Sequence, residues 1–203
     1  MKHLLILITT LLLTACSVDY QNTSGAAYLA AGEIDDPDLR RAAAYEPNLH
    51  FPARIGVVKL VYNQITTPPS AERAVFADTL SPVPAEIIQL GPLEARMSNN
   101  RNNYRFDQDR IRQLAASRHL DYVLIISYDP GQNTAEALFM DVRSGYPYAS
   151  AETAAQGRGP TSFWGGRLHN QNRINTATLR LAGALAPKIE IMFKGLIARA
   201  GQR

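Results

Sequence analysis

Arg54-Ile-Gly-Val-Val-Lys-Leu-Val-Tyr62 is the stretch on which the fold turns. It is rich in β-branched residues and almost continuously apolar. A strand with one wet face alternates apolar and polar residues, whereas a strand covered on both faces does not. The pattern therefore predicts a strand at the centre of a sheet. Asp121-Tyr-Val-Leu-Ile-Ile-Ser-Tyr128 repeats it and predicts a second central strand.

Between these two runs the chain changes period. Pro68-Pro69 ends the first connection, and Ser70 is placed to cap a helix through Leu80, with Val75, Phe76 and Leu80 inward and Glu72 and Asp78 outward. Ala85 to Leu90 reads as a shorter strand. Residues 97–106 are polar and loop-like, and Asp107 then caps a helix to about His119 with Ile111, Leu114 and Ala115 on one face. Past the second strand, Pro130-Gly131 turns the chain. Ala135–Arg143 and Tyr146–Ala154 read as a hairpin joined at Ser144-Gly145.

A Gly-rich loop from Gly157 to Gly166 leads into a long helix from about Asn172 to Ala200. Ile174, Leu181, Leu185, Ile189, Met192, Phe193 and Leu196 form its apolar stripe, and Pro187 is expected to kink or divide it. The order β-α-β-α-β-β-β-α predicts one α/β domain, a mixed sheet packed by helices, over residues 51–203.

The N-terminal region has a different character. Met1-Lys2-His3 precedes ten apolar or hydroxyl residues, Leu4 to Leu13, and the run closes on Leu13-Thr14-Ala15-Cys16 before the polar stretch Ser17 to Ser24. A positive start, a short apolar run and small residues at its end mark an export signal. A membrane-spanning helix needs about twenty apolar residues. Residues 1–15 are therefore expected to be cleaved, and residues 16–50, acidic and Ala/Gly-containing, to form a tether holding at most a short helix near Asp35–Tyr45.

Leu13, Ala15 and Cys16 resemble a lipobox, with Thr14 where Ser, Ala or Gly is usual. That resemblance implies diacylglyceryl transfer to the Cys16 thiol, cleavage before it and acylation of the new amino group. A plain secretory signal is the alternative. Several acyl chains anchor a protein stably, whereas one binds only marginally. Ser17 and Val18 follow the cysteine, with Asp19 one place too late for an inner-membrane retention signal, so the expected location is the periplasmic face of the outer membrane, lipid-anchored. The inner membrane is the alternative.

The sequence has 203 residues, 46% of them apolar and 8% aromatic, enough for a sizeable core. Cys16 is its only cysteine, so stability must come without disulfides. The net charge of +3 is unevenly spread. Residues 19–46 carry Asp19, Glu33, Asp35, Asp36, Asp38 and Glu46 against Arg40 and Arg41. Residues 143–203 carry nine basic residues against Glu152 and Glu190. A pI near 9.1 suits nucleic acid in principle, but an exported protein rarely meets any, and no nucleic-acid partner is expected. The basic half suits lipid headgroups, anionic wall polymer or an acidic protein, or is simply solvated.

Three stretches carry a family likeness. Pro52-Ala53-Arg54-Ile55-Gly56-Val57-Val58, Leu114-Ala115-Ala116 leading to Leu120-Asp121-Tyr122-Val123-Leu124-Ile125, and Leu138-Phe139-Met140-Asp141-Val142-Arg143-Ser144-Gly145 resemble bacterial envelope lipoproteins of the curli-assembly and TolB N-terminal-like α/β group. Within it they most resemble rhombotarget-type lipoproteins. The likeness covers about residues 50–155 in order and implies a fold and a compartment rather than an activity. The pore-forming hairpins of the curli channel have no counterpart here.

The chain carries no Gly-x-Ser-x-Gly elbow, His-Glu-x-x-His motif or phosphate-binding loop. His50, His119 and His169 lack metal-ligand spacing. No catalytic residue, metal or cofactor is expected, the lipid on Cys16 aside. Two loops are candidate partner-binding surfaces: one with Arg101, Tyr104 and Arg105, the other with Arg158, Phe163, Trp164 and Arg167. Tryptophan and arginine are enriched at binding hot spots, although Trp164 would also serve as a lid on the core.

The favoured function is therefore a non-enzymatic binding or assembly factor of the cell envelope. It would contact the membrane through its anchor and an envelope protein or wall polymer through these loops, with a homo-oligomer compatible. The alternative is an enzyme acting on cell wall or lipid with carboxylates around Asp107, Asp129 or Asp141, which requires two of them to converge in one cleft.

Overall fold

The computed structural model describes residues 21–22, 37, 46–91, 108–154 and 167–202, with side chains of the last helix described from Asn172 onward. Its strands are β1 (Gln21–Asn22), β2 (Ala53–Val61), β3 (Gln64–Thr66), β4 (Ala85–Leu90), β5 (Tyr122–Asp129), β6 (Thr134–Asp141) and β7 (Pro147–Ala154). The helices are α1 (Ser70–Leu80), α2 (Gln108–Ser117) and α3 (Arg167–Ala200). They build the expected mixed α/β domain. Among the described residues no helix is long and apolar enough to cross a membrane.

One seven-stranded sheet runs β1-β7-β6-β5-β2-β3, and β4 also pairs with β2. β2 lies parallel to both β4 and β5, while β5-β6-β7 is an antiparallel meander. The two apolar runs of the sequence are thus neighbours at the centre. Their alternate side chains fill two cores. Ile55, Val57, Tyr122, Leu124, Ile126 and Phe139 face α1 and α3. Val58, Leu60, Val123, Ile125, Leu138 and Met140 face α2. Both faces are dry, which is why neither run alternates.

Gly56 sits where the α2-side core closes on the sheet. A Cβ built there would lie 2.7 Å from Leu120 Cδ1 and 2.9 Å from Leu90 Cδ1. Both leucines are buried, so a larger residue must displace packed neighbours. Gly56→Val is expected to cost about 1–3 kcal/mol, read as a lower urea midpoint; an unchanged midpoint would show that the leucines yield freely.

α1 ends at Leu80 as expected, but Pro69 occupies the N-cap, and Ser70, expected to cap the helix, is instead its first residue and makes no side-chain cap bond. Its inward face differs from the expected one. Glu72 is 1% exposed and points inward to Lys59 of β2, itself 3% exposed. The two form an ion pair, Thr178 Oγ1 lies 3.5 Å from the ammonium, and the Tyr128 ring lies beneath it at 5.3 Å. Apolar periodicity alone places a glutamate outside; a buried lysine opposite it reverses that choice.

α2 ends in a Schellman motif. His119 has φ 55°, its N–H bonds to the Ala116 carbonyl at 3.0 Å, and the Leu120 N–H bonds to Ala115 at 3.1 Å. α3 is one helix of 34 residues, with Pro187 inside it. Pro187 and Gly183, whose carbonyl loses its helical donor, are both exposed. The helix continues through the proline, which therefore does not divide it, and the lost bond falls on an exposed stretch. Of the short helix expected near Asp35–Tyr45, only Pro37 is described.

Contacts with the domain begin before residue 51. Leu49 is buried in the core on the α1–α3 side. The His50 N–H donates to the Tyr122 hydroxyl at 3.0 Å, and the Tyr148 hydroxyl donates to the Pro47 carbonyl at 3.2 Å. Gln21 and Asn22 pair with Ala151 and Ser150 of β7.

Candidate functional site

Topology sets where the chain departs toward the candidate loops. β2, β4 and β5 are parallel and end at Val61, Leu90 and Asp129. β6 begins at Thr134 opposite Asp129, and β7 ends at Ala154 opposite Thr134. The chain therefore leaves the sheet at Gly91 and again at Ala154 on one end, the carboxyl end of the parallel strands. Ligands of open α/β sheets bind at that end. Arg101, Tyr104 and Arg105 fall between Gly91 and Gln108, and Arg158, Phe163 and Trp164 between Ala154 and Arg167. These six residues, like Cys16 and Asp107, lie outside the described residues. Arg167 is the first residue of α3, and its side chain is not among those described.

At this end the α2-side face of the sheet carries a hollow of about 120 Å³ lined by Leu60, Asn63, Gln108, Ile125, Ser127, Glu136 and Leu138. Its floor is apolar and its rim polar. Ser127 stands opposite Glu136 on the neighbouring strand, and Glu136 stands opposite Glu152 on the next. Burial raises the Glu136 carboxyl above the usual range, and the Glu152 carboxylate beside it raises it further. Directly opposed like charges destabilise a strand pair. The arrangement offers a hydroxyl, two amides and a carboxyl that holds its proton more tightly than usual, and none of the lining residues is a histidine. It can hydrogen-bond a polar group.

The raised Glu136 value fixes a sign. The native state binds this proton more tightly than the unfolded chain does. Its contribution to stability is therefore complete below the ordinary glutamate value of 4.5 and is lost as pH rises through the folded value. Glu136→Gln is expected to gain up to about 1 kcal/mol at pH 7 and nothing near pH 4. Thermal unfolding at both values checks this, and a loss at pH 7 would contradict it.

The described carboxylates of the competing enzymatic reading do not converge. Tyr122 pairs with Asp141 at one end of the β5–β6 ladder, and Asp129 pairs with Thr134 at the other. Each holds a turn. Asp129 Oδ1 accepts the N–H groups of Gly131 at 2.9 Å and Gln132 at 3.1 Å. Asp141 Oδ2 accepts the Ser144 hydroxyl at 2.7 Å, and the Gly145 N–H bonds to the Asp141 carbonyl at 3.0 Å. Gly145 adopts φ 76°, and Arg112 clamps the same turn by donating to the carbonyls of Val142 at 3.1 Å and Arg143 at 2.6 Å. Asp109 pairs with Arg112 within α2 at 2.9 Å, the local role expected of a residue in a first helical turn.

His50 has more company than a tether residue needs. Its Nδ1 lies 3.0 Å from the Tyr122 hydroxyl and its Nε2 4.0 Å from Asp121 Oδ1, at the amino end of the parallel strands. Asp121 Oδ2 in turn accepts the Arg54 N–H at 2.8 Å. The cluster joins the incoming chain to the sheet at the end opposite the hollow. Among the described residues no group of three or more His, Cys, Asp or Glu is arranged to hold a metal ion.

No family model matches the chain, and no curated protein does. Solved structures similar to it include the lipoprotein GNA1162 from Neisseria meningitidis, 21% identical over 66% of this chain and 99% of that one, with a TM-score of 0.35. A PelC dodecamer from Paraburkholderia phytofirmans is 14% identical over 68% of this chain and 86% of its own, TM-score 0.35. The LpoB C-terminal domain from Salmonella enterica is 12% identical over 52% and 83%, TM-score 0.36. These are distant likenesses.

Proposed function

We propose that this chain is a lipid-anchored protein of the cell envelope that works by binding rather than by catalysis. In this reading residues 1–15 are removed, Cys16 carries the lipid, residues 16–50 connect it to the domain, and the domain faces the periplasm from the outer membrane. The finer likeness to rhombotarget-type lipoproteins belongs to the same reading. Its partner is an envelope protein or an anionic wall polymer.

The observation that carries the reading is that the chain leaves the sheet at Gly91 and at Ala154, the starts of the two arginine- and aromatic-bearing stretches of sequence, from the carboxyl end of the parallel strands, where the sheet also bears a hollow with polar rims. The chain comes in from the tether at the other end, where Leu49 and His50 dock. Asp129 and Asp141 stand at opposite ends of the β5–β6 ladder, which counts against a two-carboxylate site built from that pair.

Photo-crosslinking in living cells tests it. A photoreactive residue replacing Tyr104 or Trp164 is expected to capture one reproducible envelope protein or wall polymer. The same residue replacing Asp78, exposed on α1, is expected to capture neither. Equal yields at all three positions would overturn the reading.

A further inference from the structure

Among the described residues, β4 pairs only with β2 and ends the sheet on one side. β2 offers odd-numbered residues to β4 and even-numbered residues to β5: the Ala53 N–H donates to the Pro84 carbonyl at 3.2 Å, while the Arg54 carbonyl accepts the Asp121 N–H at 2.9 Å. With Ala53 opposite Ala85 in a parallel ladder, β2 bonds the even-numbered residues of β4. The N–H and C=O of Ile87 and Gln89 and the C=O of Ala85 therefore point outward. The Ala85 N–H is already used by the Val83 carbonyl at 2.7 Å.

Among the described residues this edge lacks the usual protection. Stable monomers blunt edge strands with proline, lysine, a bulge or a cover. β4 runs six residues as Ala-Glu-Ile-Ile-Gln-Leu, and its Ile87 side chain is 38% exposed. Its single charge, Glu86, is neutralised by Arg54 at 2.8 Å.

We infer that β4 pairs with β4 of a second copy of this chain, antiparallel and about a two-fold axis through Ile87, so that two sheets become one. The outward groups are self-complementary in that register. Ile87 exchanges both backbone bonds with its own copy, and each Gln89 N–H meets the Ala85 carbonyl across the axis. Every side chain keeps its face. Ile87 packs against Ile87, and the small Ala85 stands opposite the longer Gln89. Glu86 falls opposite Ile88 rather than opposite another glutamate. An unrelated strand would satisfy the same backbone atoms, but this register is supplied entirely by the chain's own sequence. The inference concerns a different surface from the proposed binding end and stands without it.

The test uses the full chain exported to the periplasm and extracted in mild detergent. Wild type is expected at twice the protomer mass by light scattering corrected for detergent. Ile87→Cys is expected to run as a covalent dimer of the chain on a non-reducing gel, because residues opposed across an antiparallel pair lie about 5.5 Å apart at Cα, within disulfide reach. Ile87→Pro removes only an outward N–H, which an edge strand tolerates, and is expected at monomer mass with an unchanged circular-dichroism spectrum. A monomeric wild type would overturn the inference. So would Ile87→Cys linked to a different protein, or Ile87→Cys that remains uncrosslinked under oxidising conditions. Should Ile87→Pro fail to fold, the wild-type mass and the Ile87→Cys product still decide.

Discussion

Replacing Lys59 by methionine is expected to destabilise the fold by about 3–5 kcal/mol, although methionine is the more apolar residue and the strand is central. Lys59 and Glu72 lie at 3% and 1% exposure and neutralise one another. Removing the lysine leaves a glutamate carboxylate inside the core between β2, α1 and α3, with the Thr178 hydroxyl nearby but no cation. The cost is that of an uncompensated buried charge, not of a lost attraction. The paired change Lys59→Met with Glu72→Leu should therefore recover most of the stability, since well-packed apolar replacements of buried ion pairs are often neutral or stabilising. Urea unfolding of the two single variants and the double variant checks this. Additive losses would show that the pair contributes something other than mutual neutralisation.

Phe139→Ala is expected to cost about 3–5 kcal/mol. Phe139 is fully buried on β6, with ring centroids at 5.1 Å from Tyr122, 5.0 Å from Phe193 and 6.1 Å from Tyr148. It thus joins the central strand β5, the meander strand β7 and the long helix α3. Truncation removes transfer free energy and leaves a cavity between rigid rings on a sheet, a site with little freedom to collapse. Phe139→Leu keeps most of the volume and should lose much less. Equal losses for the two variants would place the effect in the edge-to-face ring geometry rather than in filled volume. Tyr148 is held far above the ordinary phenol range first by burial and then by its anionic neighbours, consistent with a dry cluster.

The central strands were legible because a sheet covered on both faces leaves an unbroken apolar run. The hairpin was legible because Ser144-Gly145 supplies the positive φ its turn requires. β3 was not. Its two-residue turn places Tyr62 and Asn63 at φ 49° and 60°, a conformation usually announced by Asn-Gly or Asp-Gly, and only Asn63 hints at it. The inward side of Glu72 depends on Lys59, thirteen residues earlier, and no single periodic window contains that relation. Glu136 and Glu152 become neighbours only through strand register. The open edge of β4 follows from which parity of β2 faces which partner. Asp129 and Asp141, the carboxylates of the alternative enzymatic reading, serve as acceptors for turn N–H groups, a local role to which aspartate is suited.

That the chain leaves the sheet at Gly91 and at Ala154 on the same end is a consequence of strand direction. The residues proposed to bind, Arg101, Tyr104, Arg105, Arg158, Phe163, Trp164 and Arg167, stand out in the sequence by type; the sheet adds that the chain departs toward both stretches from one end. The anchor rests on sequence alone. It is also the premise that gives the rest of the account its setting, a domain held near a membrane surface.

That premise is open to direct measurement. The full chain, expressed with its own first fifteen residues in a Gram-negative host, is purified from the membrane fraction, and its N-terminal peptide is weighed by mass spectrometry. The expected peptide begins at Cys16 and carries a diacylglyceryl group and an amide-linked acyl chain, and a Cys16→Ala variant is expected to leave the membrane fraction. A peptide that retains residues 1–15, or one that begins at Cys16 with an unmodified thiol, would contradict it.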